Sequence, residues 1–121
     1  AVLEATAFQA RDVLAAMAED TGSSLSEIRV DGGMVANTLL MRFQADILDM
    51  DVIVPSIVET TVLGAAFGAG MATGMWSGPE DVRAHWQEAV RYTPSMSDSK
   101  RSKLLHGWSK AVERSLGWIE D

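Results

Sequence analysis

The sequence contains no cysteine, which excludes disulfides, thiolate metal sites and catalysis by a thiol nucleophile. It contains no run of ~18 consecutive apolar residues that could span a bilayer, and no basic segment followed by an apolar one that would read as a signal peptide. The default these absences leave is a soluble, cytoplasmic protein. Basic residues are also scarce: 10 Lys and Arg face 17 Asp and Glu, for a net charge of −7. The imbalance sits in residues 1–60, which hold ten acids and three bases, while residues 61–121 hold seven of each. A polyphosphate backbone needs clustered Lys and Arg, so nucleic acid is not an expected partner. The densest basic group, Lys100, Arg101 and Lys103, reads as the solvated face of a helix.

What is present is an ordinary globular composition, 47% hydrophobic and 22% charged over 121 residues, enough for one small domain with a real core. The opening stretch AVLEATAFQARDVLAAMAED is helical from its first letters, with no Ser, Thr, Asp or Asn ahead of it as a cap and no initial Met. It reads as cut from something longer. Leu3, Ala7, Ala10, Leu14 and Met17 recur at alternating spacings of four and three and predict one buried face, ending near Asp20 with Gly22 in the left-handed terminating position.

EIRVDGG then reads as a short strand, VANTLLMRFQADILDM as a helix with Leu40, Phe43 and Ile47 on one face, and VIVP as a second strand. Strand, helix and apolar strand in so short a length predict a right-handed crossover with parallel strands, hence an α/β class. TTVLGAAFGAGMATGMW predicts a helix rich in small residues. Glycine costs ~1 kcal/mol relative to alanine inside a helix, so Gly64, Gly68 and Gly70 predict close approach of another backbone. Pro79 opens a short helix carrying Val82, Trp86 and Val90, YTPSMSDSK is a loop, and a last helix should dock Leu105, Trp108, Val112, Leu116 and Ile119 on the body. Two parallel strands alone would leave a sheet unpaired, so further strands are expected from upstream chain or from a second copy.

The glycine pair Gly32 and Gly33 follows a strand and opens a helix. At the carboxyl edge of a parallel sheet that is a place where bare backbone can face a ligand, and equally a tight turn with no ligand. Asn37 is either a helix cap or a donor and acceptor suited to a purine edge. The stretch matches neither G-x-G-x-x-G nor G-x-x-x-x-G-K-[ST]. A nicotinamide oxidoreductase would also need an acid just after the second strand, where Glu59 is the nearest. Asp31 reads as a turn or capping carboxylate rather than a base, Glu59 with Thr60 and Thr61 as a capping cluster, and His85 and His106 as structural or exposed.

Three stretches in order, AVLEATAFQARDVLAAM, RVDGGMVANTLLMRFQADIL and ETTVLGAAFGAGMATGMW, resemble the carboxyl-terminal end of the FGGY carbohydrate kinases, within them the glycerol kinases more than the xylulokinases. The resemblance implies the actin-like, ribonuclease H-like ATPase fold. It implies a single incomplete domain over residues 1–121, with residues 1–94 as nucleotide-binding and hinge core and 95–121 as a helical extension. It implies that Gly33 and Asn37 contact the adenosine of ATP while Gly32 shapes the turn, and that the helix around Gly64–Gly70 crosses another at the interdomain hinge. In the intact parent, ATP with Mg would phosphorylate glycerol to glycerol 3-phosphate. The rest of the kinase chain would be a partner, and a homo-oligomer is possible for such a protein. The family's catalytic base, glycerol contacts and phosphate loops have no counterpart in this sequence, so no catalytic or metal residue is assigned and the chain alone is expected to be inactive. The competing reading from another class is a stand-alone domain that dimerises to complete its sheet.

Overall fold

The computed structural model describes residues 2–117. Helix α1 spans Val2–Thr21 and is followed by strand β1, Glu27–Arg29. A 3₁₀ turn at Gly33–Ala36 leads into α2, Thr38–Leu48, and then β2, Asp51–Pro55. Helix α3 covers Thr60–Ala72, α4 covers Pro79–Arg83, β3 covers Glu88–Tyr92 and α5 covers Asp98–Ser115.

Strands β1 and β2 pair in parallel with Ile28 opposite Val52, joined through α2 as the apolar spacing predicts. The sheet has a third member that the sequence reading placed in a helix. β3 runs antiparallel to β2 with Val54 opposite Val90 and Ile53 opposite Arg91, giving the order β1-β2-β3. The spacing of Val82, Trp86 and Val90 fits a helical period, yet α4 stops at Arg83. Beyond it Val90 and Tyr92 keep the period of two that suits a half-covered strand. Backbone pairing along β2 therefore decides the conformation, and the mixed sheet meets part of the need for partners that two parallel strands created.

Ile28, Val52, Val54 and Tyr92 point to one face of the sheet, where they pack with Val35, Leu40, Met41, Ala45 and Leu48. Six of the eleven residues of α2 are buried, so this helix lies between the sheet and a second layer. That layer is α1 and α5. Ala7, Phe8 and Ile47 form its buried center, with Phe43, Leu104, Leu105 and Trp108 packed around them. Each fully buried aliphatic side chain such as Leu40 or Ile47 stabilises the fold by roughly 1.5–3 kcal/mol.

The face predicted for α1 is only partly buried: Ala7 is enclosed, whereas Leu3 and Met17 are exposed. Phe8, outside that stripe, is the anchor. Its ring stacks on Trp108 at 5.3 Å and meets Phe43 edge-on at 5.6 Å. Gly22 terminates the helix with φ of 65°, as expected. Helix α5 docks through Leu105 and Trp108, but Val112 and Leu116 are exposed, and Ile119 lies outside the described residues. The basic cluster divides: Lys100 and Lys103 face outward, while Arg101 turns in and is 11% exposed. Arg101 Nε donates to the Asp46 carbonyl at 2.6 Å and its guanidinium pairs with Asp49 at 2.7 Å and Asp98 at 2.8 Å. Asp46 in turn accepts the Ser95 and Met96 backbone N–H groups at 2.6 and 2.9 Å, which fixes the loop entering α5.

The opposite face of the sheet buries Ile53 of β2 beneath a charged network. Arg91 on β3 reaches Asp51 at 2.7 Å, Glu88 at 2.8 Å and Glu27 at 3.2 Å, tying three strands together. The hydrogen bonds to Glu88 and then Asp51 hold its guanidinium above its ordinary pKa. Arg29 lies 4.1 Å over the Trp86 ring on the same face.

The glycines of α3 do not all serve one purpose. A Cβ on Gly70 would overlap the Trp76 ring, so close approach there is by a side chain rather than the backbone that was expected. At Gly64 and Gly68 a Cβ would meet nothing within 4 Å. Among the described residues no helix is long and apolar enough to cross a membrane.

Candidate functional site

After β1 the chain stays extended through Val30, whose N–H donates to the Ile53 carbonyl at 3.0 Å. It then turns sharply at Gly32, with φ of 86° and ψ of 176°, a conformation that side chains with a Cβ rarely adopt. The turn is held from both sides. Gly32 N–H donates to the Val58 carbonyl at 3.2 Å, and the Gly32 carbonyl accepts from Val35 N–H at 3.2 Å. Val35 is buried in the main core and anchors the 3₁₀ turn from beneath.

Asn37 joins that turn to α2. Its N–H donates to the Met34 carbonyl at 3.0 Å, its carbonyl accepts from Met41 N–H at 3.0 Å, and its side-chain Oδ1 accepts from Leu40 N–H at 3.1 Å. The residue is therefore the N-cap of α2. The two readings of Asn37 left open by the sequence are compatible: the oxygen is committed to the cap, and the amide NH₂ has no partner among the described residues.

Gly33 differs from Gly32. Its φ lies outside the left-handed region, and a Cβ built on it would meet nothing within 4 Å among the described residues. Neither strain nor internal packing accounts for a glycine at that position. Gly32, Gly33 and Asn37 are half-exposed or exposed and lie on the short segment between the carboxyl end of β1 and the amino end of α2. Backbone dipoles of that helix end favor an electron-rich group in front of it.

The other candidates fall away from this surface or carry no chemistry. Asp31 is exposed and makes no hydrogen bond or ion pair among the described residues. Glu59 occupies the N-cap position of α3, with φ of −87° and ψ of 63°, but makes no side-chain capping hydrogen bond. The expected capping cluster is absent. His85 Nδ1–H donates to the Asp81 carbonyl at 2.7 Å and the ring packs beside Trp76 and Phe67, a structural role. His106 is exposed. Among the described residues no three His, Asp or Glu side chains are placed to hold a metal ion. The contribution that sequence reasoning missed is Val58, which acts through its main-chain carbonyl, an atom every residue possesses and no motif can flag.

Residues 1–73 match the FGGY family of carbohydrate kinases, C-terminal domain. The whole chain is 53% identical to a glycerol kinase of Clavibacter michiganensis and 54% identical to one of Methylorubrum populi. In both cases it spans about a quarter of the relative's length, 24%. Among solved structures, the glycerol kinase of Plasmodium falciparum with ADP superposes with a TM-score of 0.82 at 35% identity, over 98% of this chain and 24% of that one. A xylulose kinase of Lactobacillus acidophilus superposes at 0.77 with 21% identity, over 97% of this chain and 24% of that one, a likeness of fold. The α/β architecture is that of the C-terminal, actin-like ATPase domain of these kinases, and the chain belongs to the FGGY family of carbohydrate kinases.

Proposed function

We propose that this chain supplies the adenosine-binding part of a glycerol kinase, with Gly33 and Asn37 against the nucleotide and Gly32 shaping the turn. The observation that carries the reading is the bare backbone at Gly33: a glycine that neither its φ nor the packing of the chain requires, facing open space. A planar base can approach such a backbone where a Cβ would stand in the way. The Asn37 amide NH₂ is free to donate to a ring nitrogen or a ribose oxygen while its oxygen holds the helix. The glycerol kinase of Plasmodium falciparum solved with ADP, at 35% identity, supports a nucleotide ligand of this kind.

In the complete kinase ATP, with Mg, would supply the γ-phosphoryl group to a terminal hydroxyl of glycerol, giving glycerol 3-phosphate. Residues 1–94 would form the nucleotide-facing and hinge core and 95–121 a helical extension, the protein working in the cytoplasm. The open faces of Gly64 and Gly68 suit a second helix crossing α3 at the hinge. Clamping of the phosphates would come from the remainder of the kinase chain, since phosphoryl transfer rests on positioning and electrostatic stabilisation.

The test is competition for a fluorescent ribose-labelled ATP. Saturable binding displaced by ADP, weakened about tenfold or ~1.4 kcal/mol in the Gly33→Ala variant, is the expected result. Binding indifferent to Gly33→Ala would place the nucleotide elsewhere.

A further inference from the structure

Helices α1 and α5 enclose a groove of about 610 Å³ that the nucleotide surface does not involve, lined by Phe8, Lys100, Lys103, Leu104, Gly107 and Trp108 together with Glu4, Ala5 and Ala111. Its floor is the stacked pair Phe8 and Trp108, held by a hydrogen bond from Trp108 Nε1 to Asp12 at 2.6 Å. Gly107 lies inside α5, where glycine is unfavourable, and a Cβ there would meet nothing within 4 Å. Its absent side chain leaves that part of the lining bare.

The lining is polarised along α5. Lys100 and Lys103 lie in its first two turns, whereas Leu104, Gly107, Trp108 and Ala111 follow toward its carboxyl end. At 1.5 Å per residue the stretch from Lys100 to Ala111 extends roughly 16 Å. The neighboring cation Arg101 is consumed by Asp49 and Asp98, but neither lysine has an ion pair among the described residues. These two lysines share the lining with one carboxylate, Glu4. In a chain of net charge −7 this is a local positive end joined to an apolar trough.

The geometry points to a binding site for a medium-chain carboxylate, its head between Lys100 and Lys103 and its alkyl tail over Trp108 beside Gly107. Charge at one end and apolar surface along the remainder select a head-and-tail anion over a uniformly polar metabolite, and the head is set by the lysines.

The test titrates isotopically labelled chain with decanoate and, separately, with decylammonium, following backbone amides and the tryptophan indole N–H groups. Saturable shifts centered on Gly107 and Trp108, stronger for decanoate, are expected. The double variant Lys100→Ala, Lys103→Ala should weaken decanoate about tenfold, and Gly107→Leu should fill the trough and remove binding while α5 stays folded. Equal response to both head groups, or shifts spread over the apolar surface of α3 instead, would overturn the assignment. Shifts at Gly33 and Asn37 under ATP are a separate readout, so failure here leaves the nucleotide site standing.

Discussion

Asn37 Oδ1 accepts the Leu40 backbone N–H at 3.1 Å, so one side chain both starts α2 and presents its amide at the surface that Gly33 leaves bare. The two roles can be separated. Asn37→Ala removes cap and amide together and should cost ~1 kcal/mol of stability along with nucleotide affinity. Asn37→Ser keeps a good capping oxygen, so urea unfolding should stay within about 0.5 kcal/mol of the parent while ATP binding still falls. Equal ATP binding by Asn37→Ser and the parent would remove Asn37 from the site.

The adjacent glycines should respond oppositely. Gly32→Ala places a Cβ at φ of 86° and should destabilise by about 1–2 kcal/mol. Gly33→Ala meets nothing within 4 Å among the described residues, so its stability should change by no more than ~0.5 kcal/mol while nucleotide binding weakens. Thermal unfolding of both variants, set beside ATP titrations, checks the contrast.

Arg101 ties α5 to the carboxyl end of α2 through the Asp46 carbonyl and Asp49. Asp49 and Asp98 stay solvated when Arg101 is removed, so Arg101→Ala should cost roughly 1–3 kcal/mol, mainly through the lost packing and the lost bond to the Asp46 carbonyl, and Arg101→Lys should recover only a minor part because a single ammonium cannot reproduce the fork. Amide exchange read along α5 should accelerate more than in β2.

Helical glycines should sort by what surrounds them. Gly68→Ala and Gly107→Ala, both facing open space, should each stabilise the chain by up to ~1 kcal/mol, whereas Gly70→Ala should destabilise it by ~1–3 kcal/mol because the Trp76 ring must move. Urea unfolding followed by circular dichroism distinguishes the three. Destabilisation by Gly68→Ala would show that this face of α3 is already packed.

The purified 121-residue chain should form no glycerol-dependent ADP in a coupled assay. The chain spans 24% of the length of the glycerol kinases it matches, and the electrostatic clamping on which phosphoryl transfer depends would come from the remainder. Turnover above background would mean that the chain carries catalytic groups the account omits.

The parallel unit of β1, α2 and β2 was readable because its apolar residues obey one period at a time: Leu40 and Ile47 along a helix, Val52 to Val54 as an unbroken buried strand. β3 was not, because Trp86 and Val90 fit a helical spacing as well as a strand's, and the deciding term is hydrogen bonding to β2, which lies more than thirty residues away. Arg101 looked like its solvated neighbors since composition cannot tell which of three adjacent cations meets Asp49. The glycine turn was legible as a turn, but the distinction between Gly32, required by its φ, and Gly33, required by nothing within the chain, is visible only in three dimensions.

The central claim is that Gly33 and Asn37 face a nucleotide, and a residue-resolved titration of the chain with ATP and ADP, read in backbone amide shifts, tests it most directly. The account predicts saturable shifts confined to Gly32 through Asn37 and the first turn of α2, diminished in Gly33→Ala with the fold intact. A folded chain whose amides at Gly33 and Asn37 do not move under saturating ATP would contradict it.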